Sequence, residues 1–379
     1  MQTANRLKTV QEYYFSKKLR EIRELEAEGK EIINLGIGSP DLPPSPSVIN
    51  ALRNYPEQTG MHQYQSYQGI PDLRRAIADF YQQKFDVELD EMSGVLPLMG
   101  SKEGINHISM AYLNPGDQVL VPSLGYPTYT SVTRMAEAEP IYYPLDPHNN
   151  WEPDWDFFKT VDFSRIKIIW INYPHMPTGT KGNLDVLQQF VTMALENDIL
   201  LVNDNPYSFI LNDEPVSVLS VEGAGKVALE LNSMSKTFNM AGWRIGWVCG
   251  DQQLLDPVLR IKSNMDSGMF KPLQLAAIEA LKSGDDWYRQ LNSVYKERRK
   301  VAQQLLKSLN CTIAAEQVGM FVWARCSSGT ADELVDRVLY DHGVFITPGH
   351  IFGKQGKSFV RVSLCSPVEV FERARQRIS

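Results

Sequence analysis

The sequence predicts an α/β fold in which a mostly parallel sheet is flanked by helices and is accompanied by a smaller α+β unit. Apolar runs at residues 168–171, 199–202 and 227–231 are typical of strands that are buried on both faces, as in parallel sheets. Helical patterns separate these runs, which indicates βαβ units. With 379 residues, of which 43% are hydrophobic, the chain has enough material for two domains.

The order of the predicted elements separates the two units. Alternation of strands and helices extends over about 47–270, and long helical patterns follow Pro272 up to about Leu309. The individual predictions are an amphipathic helix at 10–28, a strand at 32–35 that enters a loop rich in Gly and Pro, a strand at 95–99, a helix at 103–112, and strands of the smaller unit at 320–324 and 359–364.

Composition excludes several classes of protein. The net charge of −7 without a basic cluster argues against nucleic-acid binding. No segment approaches about 20 uninterrupted apolar residues, so we expect no membrane span, and the polar start of the chain favours a cytoplasmic location. The four cysteines lack C-x-x-C spacing, so we expect buried thiols, with neither a disulfide framework nor a metal site.

The most informative motif is Ser-Met-Ser-Lys at residues 233–236, with Arg244 eight residues after Lys236. A lysine among hydroxyl residues supplies an amine for a Schiff base, and the arginine supplies a cation for a phosphate. This pairing predicts pyridoxal 5'-phosphate as the cofactor. An isolated lysine is more often a solvated surface charge, so the prediction depends on the motifs around it.

Three strand ends are expected to converge on one crevice. Asp204 follows the apolar run at 199–202, Asn172 ends the run at 168–171, and the lysine motif follows the run at 227–231. In open α/β sheets, ligands bind outside the carboxyl ends of the strands. A fourth candidate is Gly100-Ser101-Lys102, where a strand meets a helix, so that backbone N–H groups of Ser101 and Lys102 face a helix N-terminus.

The order of these motifs resembles the fold-type I, class I/II aminotransferases, from about Leu35 to Ser363. The resemblance includes GSKEG at 100–104, NPGD at 114–117, N-x-P-x-x-P-T-G from Asn172, D-x-x-Y from Asp204, S-x-S-K-x-x-x-M-x-G-x-R from Ser233, and FVRVS at 359–363. The phrases GSKEG, SKTFNMAGWRIGW and KSNMDSG are most similar to LL-diaminopimelate and alanine aminotransferase-like enzymes.

The resemblance implies a fold and an activity. The large domain would occupy 47–270 with a seven-stranded type of sheet, and residues 1–46 and 271–379 would form a discontinuous small domain. We expect a homodimeric transaminase that moves an amino group from an α-amino acid to a 2-oxo acid by a ping-pong mechanism. A carbon-sulfur β-lyase on the same fold and a non-catalytic, regulatory cofactor-binding relative are the alternatives. Alanine, glutamate, aspartate and LL-diaminopimelate are the suggested donors.

The resemblance also implies roles for individual residues. Lys236 would hold the cofactor and move the proton, Asp204 would pair with the pyridine nitrogen, and Tyr207 would bond the cofactor O3′. The phosphate would be bound by Ser101, Lys102, Ser233 and Arg244, and Tyr126 would stack on the ring face. Tyr64 would reach the phosphate of the neighbouring subunit. The substrate carboxylate would be bound by Arg361 and Gly38. Loops around Ile37, Tyr64, Tyr126 and residues 267–270, together with residues from the second subunit, would line the substrate pocket.

One position departs from the family pattern. The residue before Pro-Thr-Gly is usually an asparagine that donates a hydrogen bond to the cofactor and to the substrate carboxylate, and here it is Met176. A thioether cannot donate that bond. We therefore expect weaker substrate orientation unless another donor, with Asn172 and Asn205 as candidates, replaces it.

Overall fold

A seven-stranded sheet forms the centre of the computed structural model, which describes residues 1–314 and 316–378. Its strand order is β2-β10-β9-β8-β7-β3-β4. All neighbours are parallel except β10, which runs antiparallel to both β2 and β9. The predicted α/β fold with a mostly parallel sheet is confirmed.

Within the described residues, the strands are β1 (Ile33–Asn34), β2 (Val95–Leu98), β3 (Gln118–Pro122), β4 (Glu139–Tyr143), β5 (Leu145–Asp146), β6 (Glu152–Pro153), β7 (Ile166–Ile171), β8 (Leu200–Asp204), β9 (Ala228–Ser233), β10 (Gly246–Gly250), β11 (Cys311–Ile313), β12 (Phe321–Cys326), β13 (Val344–Phe345), β14 (Thr347–Pro348) and β15 (Phe359–Ser363).

The α-helices of the same residues are α1 (Tyr14–Ala27), α2 (Pro46–Asn54), α3 (Pro71–Phe85), α4 (Ser101–Tyr112), α5 (Pro127–Met135), α6 (Trp155–Phe158), α7 (Leu184–Asn197), α8 (Met234–Thr237), α9 (Gln252–Lys262), α10 (Lys271–Leu281), α11 (Asp285–Ser308), α12 (Ala331–His342) and α13 (Val368–Ile378).

The central strands are buried along almost their whole length. Every residue of β8 and β9 is buried, and in β7 only Lys167 is exposed. Helices cover both faces of the sheet, so continuous apolar runs are required rather than alternation. The expected strands at 168–172, 199–202 and 227–231 therefore exist, with ends shifted by one to two residues.

A second, antiparallel sheet has the order β11-β12-β15-β14. The N-terminal segment joins it, because the Ser363 N–H donates to the Leu35 carbonyl at 2.8 Å and β1 pairs in parallel with β13. Helix α1 begins at Tyr14, four residues later than the expected 10–28 helix. Helix α10 packs against α2 and α3. The domain division at residues 47 and 270 stays a prediction.

Two further expectations concern the rest of the chain. Cys249, Cys311, Cys326 and Cys365 are buried free thiols, as expected. No helix in the described part of the chain is both long enough and apolar enough to cross a membrane.

A buried ion pair attaches the N-terminal loop to the long helix α11. Both guanidinium nitrogens of Arg298 donate to the Asp41 carboxylate, at 2.6 and 2.8 Å, and one also donates to the Leu364 carbonyl at 3.1 Å. The Arg298 side chain is only 4% exposed. The Asp41 side chain is 29% exposed, so the buried partners at risk are the Arg298 guanidinium and the Leu364 carbonyl.

We expect Arg298→Ala to lower the free energy of unfolding by about 1 to 3 kcal/mol, because the buried Leu364 carbonyl loses a donor and Asp41 loses its ionic partner. Urea unfolding followed by circular dichroism measures the change. Arg289→Ala is the matched control, since Arg289 lies on the same helix and pairs with Asp286 at the surface, and it should leave the midpoint nearly unchanged. Equal effects of the two substitutions would contradict the proposed importance of the buried pair.

Candidate active site

A cavity of about 330 Å³ lies where the carboxyl ends of β2, β7, β8 and β9 meet. Asp204 and Ser233 are the last residues of β8 and β9, and Asn172 directly follows β7. The predicted site residues that line this cavity are Gly38, Ser101, Lys102, Tyr126, Asn172, Asp204, Tyr207, Ser233, Lys236, Arg244 and Arg361. Tyr64 is the predicted residue that does not line it.

Lys236 lies on the short helix α8, directly after β9. Its Nζ donates to the Gly38 carbonyl at 2.7 Å. Burial lowers the pKa of the Lys236 ammonium, and the positive charges of Arg361 and Arg244 act in the same direction. A lowered pKa favours the neutral amine, which is the form that attacks a carbonyl carbon.

Asp204 has one carboxylate oxygen with a partner and one without. The Tyr129 hydroxyl donates to Oδ2 at 2.9 Å, and the Tyr129 ring stacks on Trp170 at 5.1 Å between centroids. Buried Oδ1 has no hydrogen-bond partner among the described residues. Burial raises the pKa of Asp204 to about 6. An acid with a free, desolvated oxygen suits a ligand that brings its own N–H group, as a protonated pyridine nitrogen does.

Tyr129 was missed by the sequence reasoning. It lies in the first turn of α5, three residues after Tyr126, which is the N-cap of that helix. The two rings meet edge to face at 5.7 Å. That spacing was the available signal, but it is equally typical of two core aromatics.

Hydrogen-bond donors that could bind an anion converge where helix α4 begins. Helix α4 begins at Ser101, and Gly100 before it has a φ of +88°. A Cβ at Gly100 would lie 2.3 Å from Nη2 of Arg244, so glycine is needed for the arginine to approach the helix N-terminus. The Ser233 hydroxyl caps α8 by accepting from the Ser235 N–H at 3.1 Å. The Lys102 ammonium lies over the Tyr13 ring, 4.9 Å from its centroid.

Arg361 is enclosed by aromatic rings. Its guanidinium carbon lies 3.9 Å from the centroid of Phe321 and 4.5 Å from that of Phe352. Nη2 donates to the Gly36 carbonyl at 3.0 Å, while Nε is buried without a partner among the described residues. Burial lowers the pKa of Arg361 to about 10, so the group stays charged at neutral pH. A free donor on a desolvated cation suits a carboxylate.

Met176 contacts this arginine directly. Its Sδ lies 3.3 Å from Nη1 of Arg361, and its backbone N–H donates to Oδ1 of Asn172 at 2.9 Å. Of the two asparagines considered as replacements for the usual donor, Asn172 lines the cavity, whereas Asn205 donates to the Val216 carbonyl and does not line the cavity. Asn172 Nδ2 in turn donates to the Asp204 carbonyl.

The predicted tyrosines take different positions. The Tyr207 ring lies edge-on to Phe321 at 5.8 Å, and burial raises the pKa of its phenol. Tyr64 is 91% exposed and lies outside the cavity of its own chain. Its side chain is therefore available to a neighbouring molecule rather than to this site.

These residues fit pyridoxal phosphate. The cavity offers an amine, an acid oxygen without a partner, and a helix N-terminus beside an arginine, which match the aldehyde, the ring nitrogen and the phosphate of that cofactor. The sequence model of the family described as aminotransferase class I and II matches residues 30–378. The chain belongs to the class I and II aminotransferases. It is a pyridoxal-phosphate-dependent transaminase, as the sequence predicted.

Known proteins resemble this aminotransferase over its whole length. The LL-diaminopimelate aminotransferase of Maridesulfovibrio salexigens is 38% identical over 99% of this chain and 98% of that protein. The enzyme of the same name from Aquifex aeolicus is 37% identical, again over 99% and 98%. The substrate-bound structure of BacF from Bacillus subtilis superposes with a TM-score of 0.94 at 34% identity, covering 100% of this chain and 97% of that one. The expected similarity to LL-diaminopimelate aminotransferases is confirmed.

In the cofactor-free protein, stability should depend on the proton of Asp204. Because the folded protein has a pKa of about 6 for Asp204, against 3.8 ordinarily, it holds this proton more tightly than the unfolded chain. The stabilisation is complete below pH 4 and is lost as the pH rises through 6, in total about 3 kcal/mol. Urea unfolding at a series of pH values should show this fall in wild type and not in Asp204→Asn. Parallel pH profiles for the two proteins would contradict the assignment.

Proposed function

We propose that Lys236 is the catalytic residue of this transaminase, that it binds the cofactor aldehyde carbon, and that it carries the proton of each half-reaction. The observation that supports this is the placement of Lys236, unpartnered Asp204 Oδ1 and unpartnered Arg361 Nε on one cavity. When bound, pyridoxal phosphate supplies a ring that accepts the electron pair left at the substrate Cα. With a substrate amine in place of its own at the cofactor, Nζ of Lys236 would be free to remove the proton at the substrate Cα.

Asp204 would keep the ring nitrogen protonated. Its free Oδ1 would accept a hydrogen bond from the ring N–H, while the Tyr129 hydroxyl continues to donate to Oδ2. An ion pair with the pyridinium removes the penalty of a buried lone carboxylate, so the carboxylate would be charged in the complex. Tyr129 acts through Asp204 and is a positioning residue.

The remaining predicted residues would bind and orient. Arg244 and Ser233, with the N–H groups of Ser101 and Lys102 at the start of α4, would hold the phosphate. Tyr126 would pack on the ring face, with Tyr207 and Asn172 at its polar edge. Arg361 would take the substrate carboxylate, and the Gly38 backbone lies beside the reacting amine.

Both substrates would use the same arginine in turn. Among the described residues that line the cavity, Arg361 is the arginine with a buried, unpartnered Nε, and Lys236 lines the same cavity. The first 2-oxo acid must therefore leave before the second enters, which gives the ping-pong order. The LL-diaminopimelate aminotransferases among its relatives favour a role in amino-acid biosynthesis. The cytoplasmic location stays a prediction.

We propose further that the active unit is a homodimer in which Tyr64 of one subunit reaches the phosphate site of the other. The support is the 91% exposure of Tyr64 and its distance from the cavity of its own chain. A tyrosine hydroxyl on a phosphate adds one charge-assisted hydrogen bond.

Spectroscopy of the holoenzyme tests the reaction. Titration with amino acids in the absence of any oxo acid should convert the cofactor absorption to that of pyridoxamine phosphate, with release of one equivalent of oxo acid. Borohydride added before the amino acid should attach the cofactor to the peptide that contains Lys236. Lys236→Ala should abolish the attachment and lower kcat by at least about 10³-fold, because the proton carrier is lost.

Lys226→Ala is the matched control for that experiment, since Lys226 lies exposed just before β9 and should retain both properties. Repeated turnover of cysteine-type compounds to pyruvate and ammonia, with an unchanged cofactor spectrum, would instead make the protein a β-lyase. Attachment of the cofactor to another lysine would refute the role of Lys236.

Subunit mixing tests the position of Tyr64. Lys236→Ala and Tyr64→Ala should each be impaired alone at limiting cofactor. Mixed and re-equilibrated dimers should regain about a quarter of wild-type activity, because half are hybrids and each hybrid contains one site with both native residues. Recovery does not occur if Tyr64 serves its own subunit, since each hybrid site then lacks one of the two residues.

A further inference from the structure

The direction of the bound substrate follows from one backbone segment. The Gly36 carbonyl accepts from Arg361 and the Gly38 carbonyl accepts from Lys236, at 3.0 and 2.7 Å. Residue 37 therefore lies between the group that would bind the carboxylate and the group that would react at Cα. The Cα and the α-carboxylate of a substrate that joins these two points would lie beside Ile37, which lines the cavity.

The opposite wall of this path is also apolar. The Phe321 ring packs against the Gly38 backbone so closely that a Cβ on Gly38 would lie 2.4 Å from its Cζ, and the same ring lies 3.9 Å from the Arg361 guanidinium. Leu19 of α1 and the thioether of Met176 line the same cavity. The cavity therefore has aliphatic and aromatic walls on either side of this path.

Most charged residues that line the cavity already have a role or a partner that keeps them from the substrate side chain. Among the described residues, Asp204 is the one acidic side chain that lines the cavity, and it lies at the end of β8 bonded to Tyr129. Lys236, Arg244 and Arg361 have the roles given above, and Lys102 lies on the first turn of α4, at the phosphate end. A second ammonium on the substrate would have no acid to pair with.

The two loops near Tyr64 and Gly268 that are predicted to line the substrate pocket contain no charged residue either. Residues 62–68 and 267–270 contain no Asp, Glu, Lys or Arg. Asp266, just before the second loop, is 5% exposed and is paired with Lys262 at 2.6 Å. An ammonium on the substrate side chain would lose its water without gaining an acidic partner among the described residues that line the cavity. The cation that is left for a carboxylate is Lys102, whose ammonium lies over the Tyr13 ring.

We propose that the amino donor carries an apolar side chain, aromatic rings included, and that the wall formed by Leu19, Ile37 and Phe321 recognises it. The inference rests on the proposed transamination at Lys236. The proposed substrate preference differs from that of the relatives named for LL-diaminopimelate, a substrate that carries both an ammonium and a carboxylate at its far end.

Carboxylic acids without an amino group test recognition apart from reaction. Binding of 3-phenylpropanoate, propanoate and glutarate to the holoenzyme can be followed by the change in cofactor absorption. The phenyl compound should bind about 10- to 100-fold more tightly than propanoate, because its ring is removed from water, and glutarate should show no gain. Tighter binding of glutarate than of 3-phenylpropanoate would overturn the proposal.

Single-turnover reactions separate this inference from the proposed function. Phenylalanine and leucine should convert the cofactor with a higher kcat/KM than aspartate, glutamate or LL-diaminopimelate. If a charged donor is preferred, the substrate class is wrong and transamination stands. If none of the amino acids converts the cofactor, transamination fails and the substrate class fails with it.

Leu19→Arg tests the wall itself at a half-exposed position of α1. The added cation should weaken 3-phenylpropanoate about 10-fold and tighten glutarate. Leu195→Arg is the matched control, since Leu195 is comparably exposed on α7 and does not line the cavity. Unchanged binding of both acids by a folded Leu19→Arg protein would exclude Leu19 from the recognition surface.

Discussion

The parallel alignment of β7, β8 and β9 is the constraint on which the rest of the site depends. Parallel neighbours end at the same edge of a sheet, so Asn172, Asp204 and Ser233 reach one cavity although long crossovers separate them in sequence. A shift of one residue in β8 would turn Asp204 to the other face. The complete burial of β8 opposes such a shift. The same buried residues therefore stabilise the fold and keep the Asp204 carboxylate directed into the cavity.

Much of the fold and part of the site were predictable because their signals are local. Continuous apolar runs marked the central strands, and the motifs at their ends placed Asp204, Lys236 and Arg244. Side-chain direction was harder to predict. Asn172 and Asn205 both follow strands, yet Asn205 is adjacent to Asp204 and points away from the cavity, as alternation along an extended chain requires.

Contacts between distant segments gave no local signal. Phe321 and Phe352 surround Arg361 from two parts of the chain, and an aromatic residue beside a buried cation has the same sequence pattern as one in the core. The departure at Met176 was visible in the sequence, but its contact with Arg361 was not.

The site also gathers positive charge in a protein of net charge −7. Lys236, Arg244 and Arg361 line one cavity, and the first and last have lowered pKa values because they are withdrawn from water. The unpartnered, buried oxygen of Asp204 adds a second unfavourable burial, of an acid. Such groups lower the stability of the isolated chain, and a ligand that supplies the missing partners restores it.

The carbonyls of Gly36 and Gly38 give this arrangement a further property. Because each already accepts a bond from Arg361 or Lys236, the two cations are held in place by the backbone before any substrate arrives. At Nη2 of Arg361 and at Lys236, binding is then an exchange of acceptors, whereas buried Nε of Arg361 gains a partner that it lacks. Both changes favour a carboxylate over an amide, an ester or an alcohol, because a charged oxygen makes the stronger bond to a cation. The resting loop thus filters incoming molecules for a free acid group before any chemistry begins.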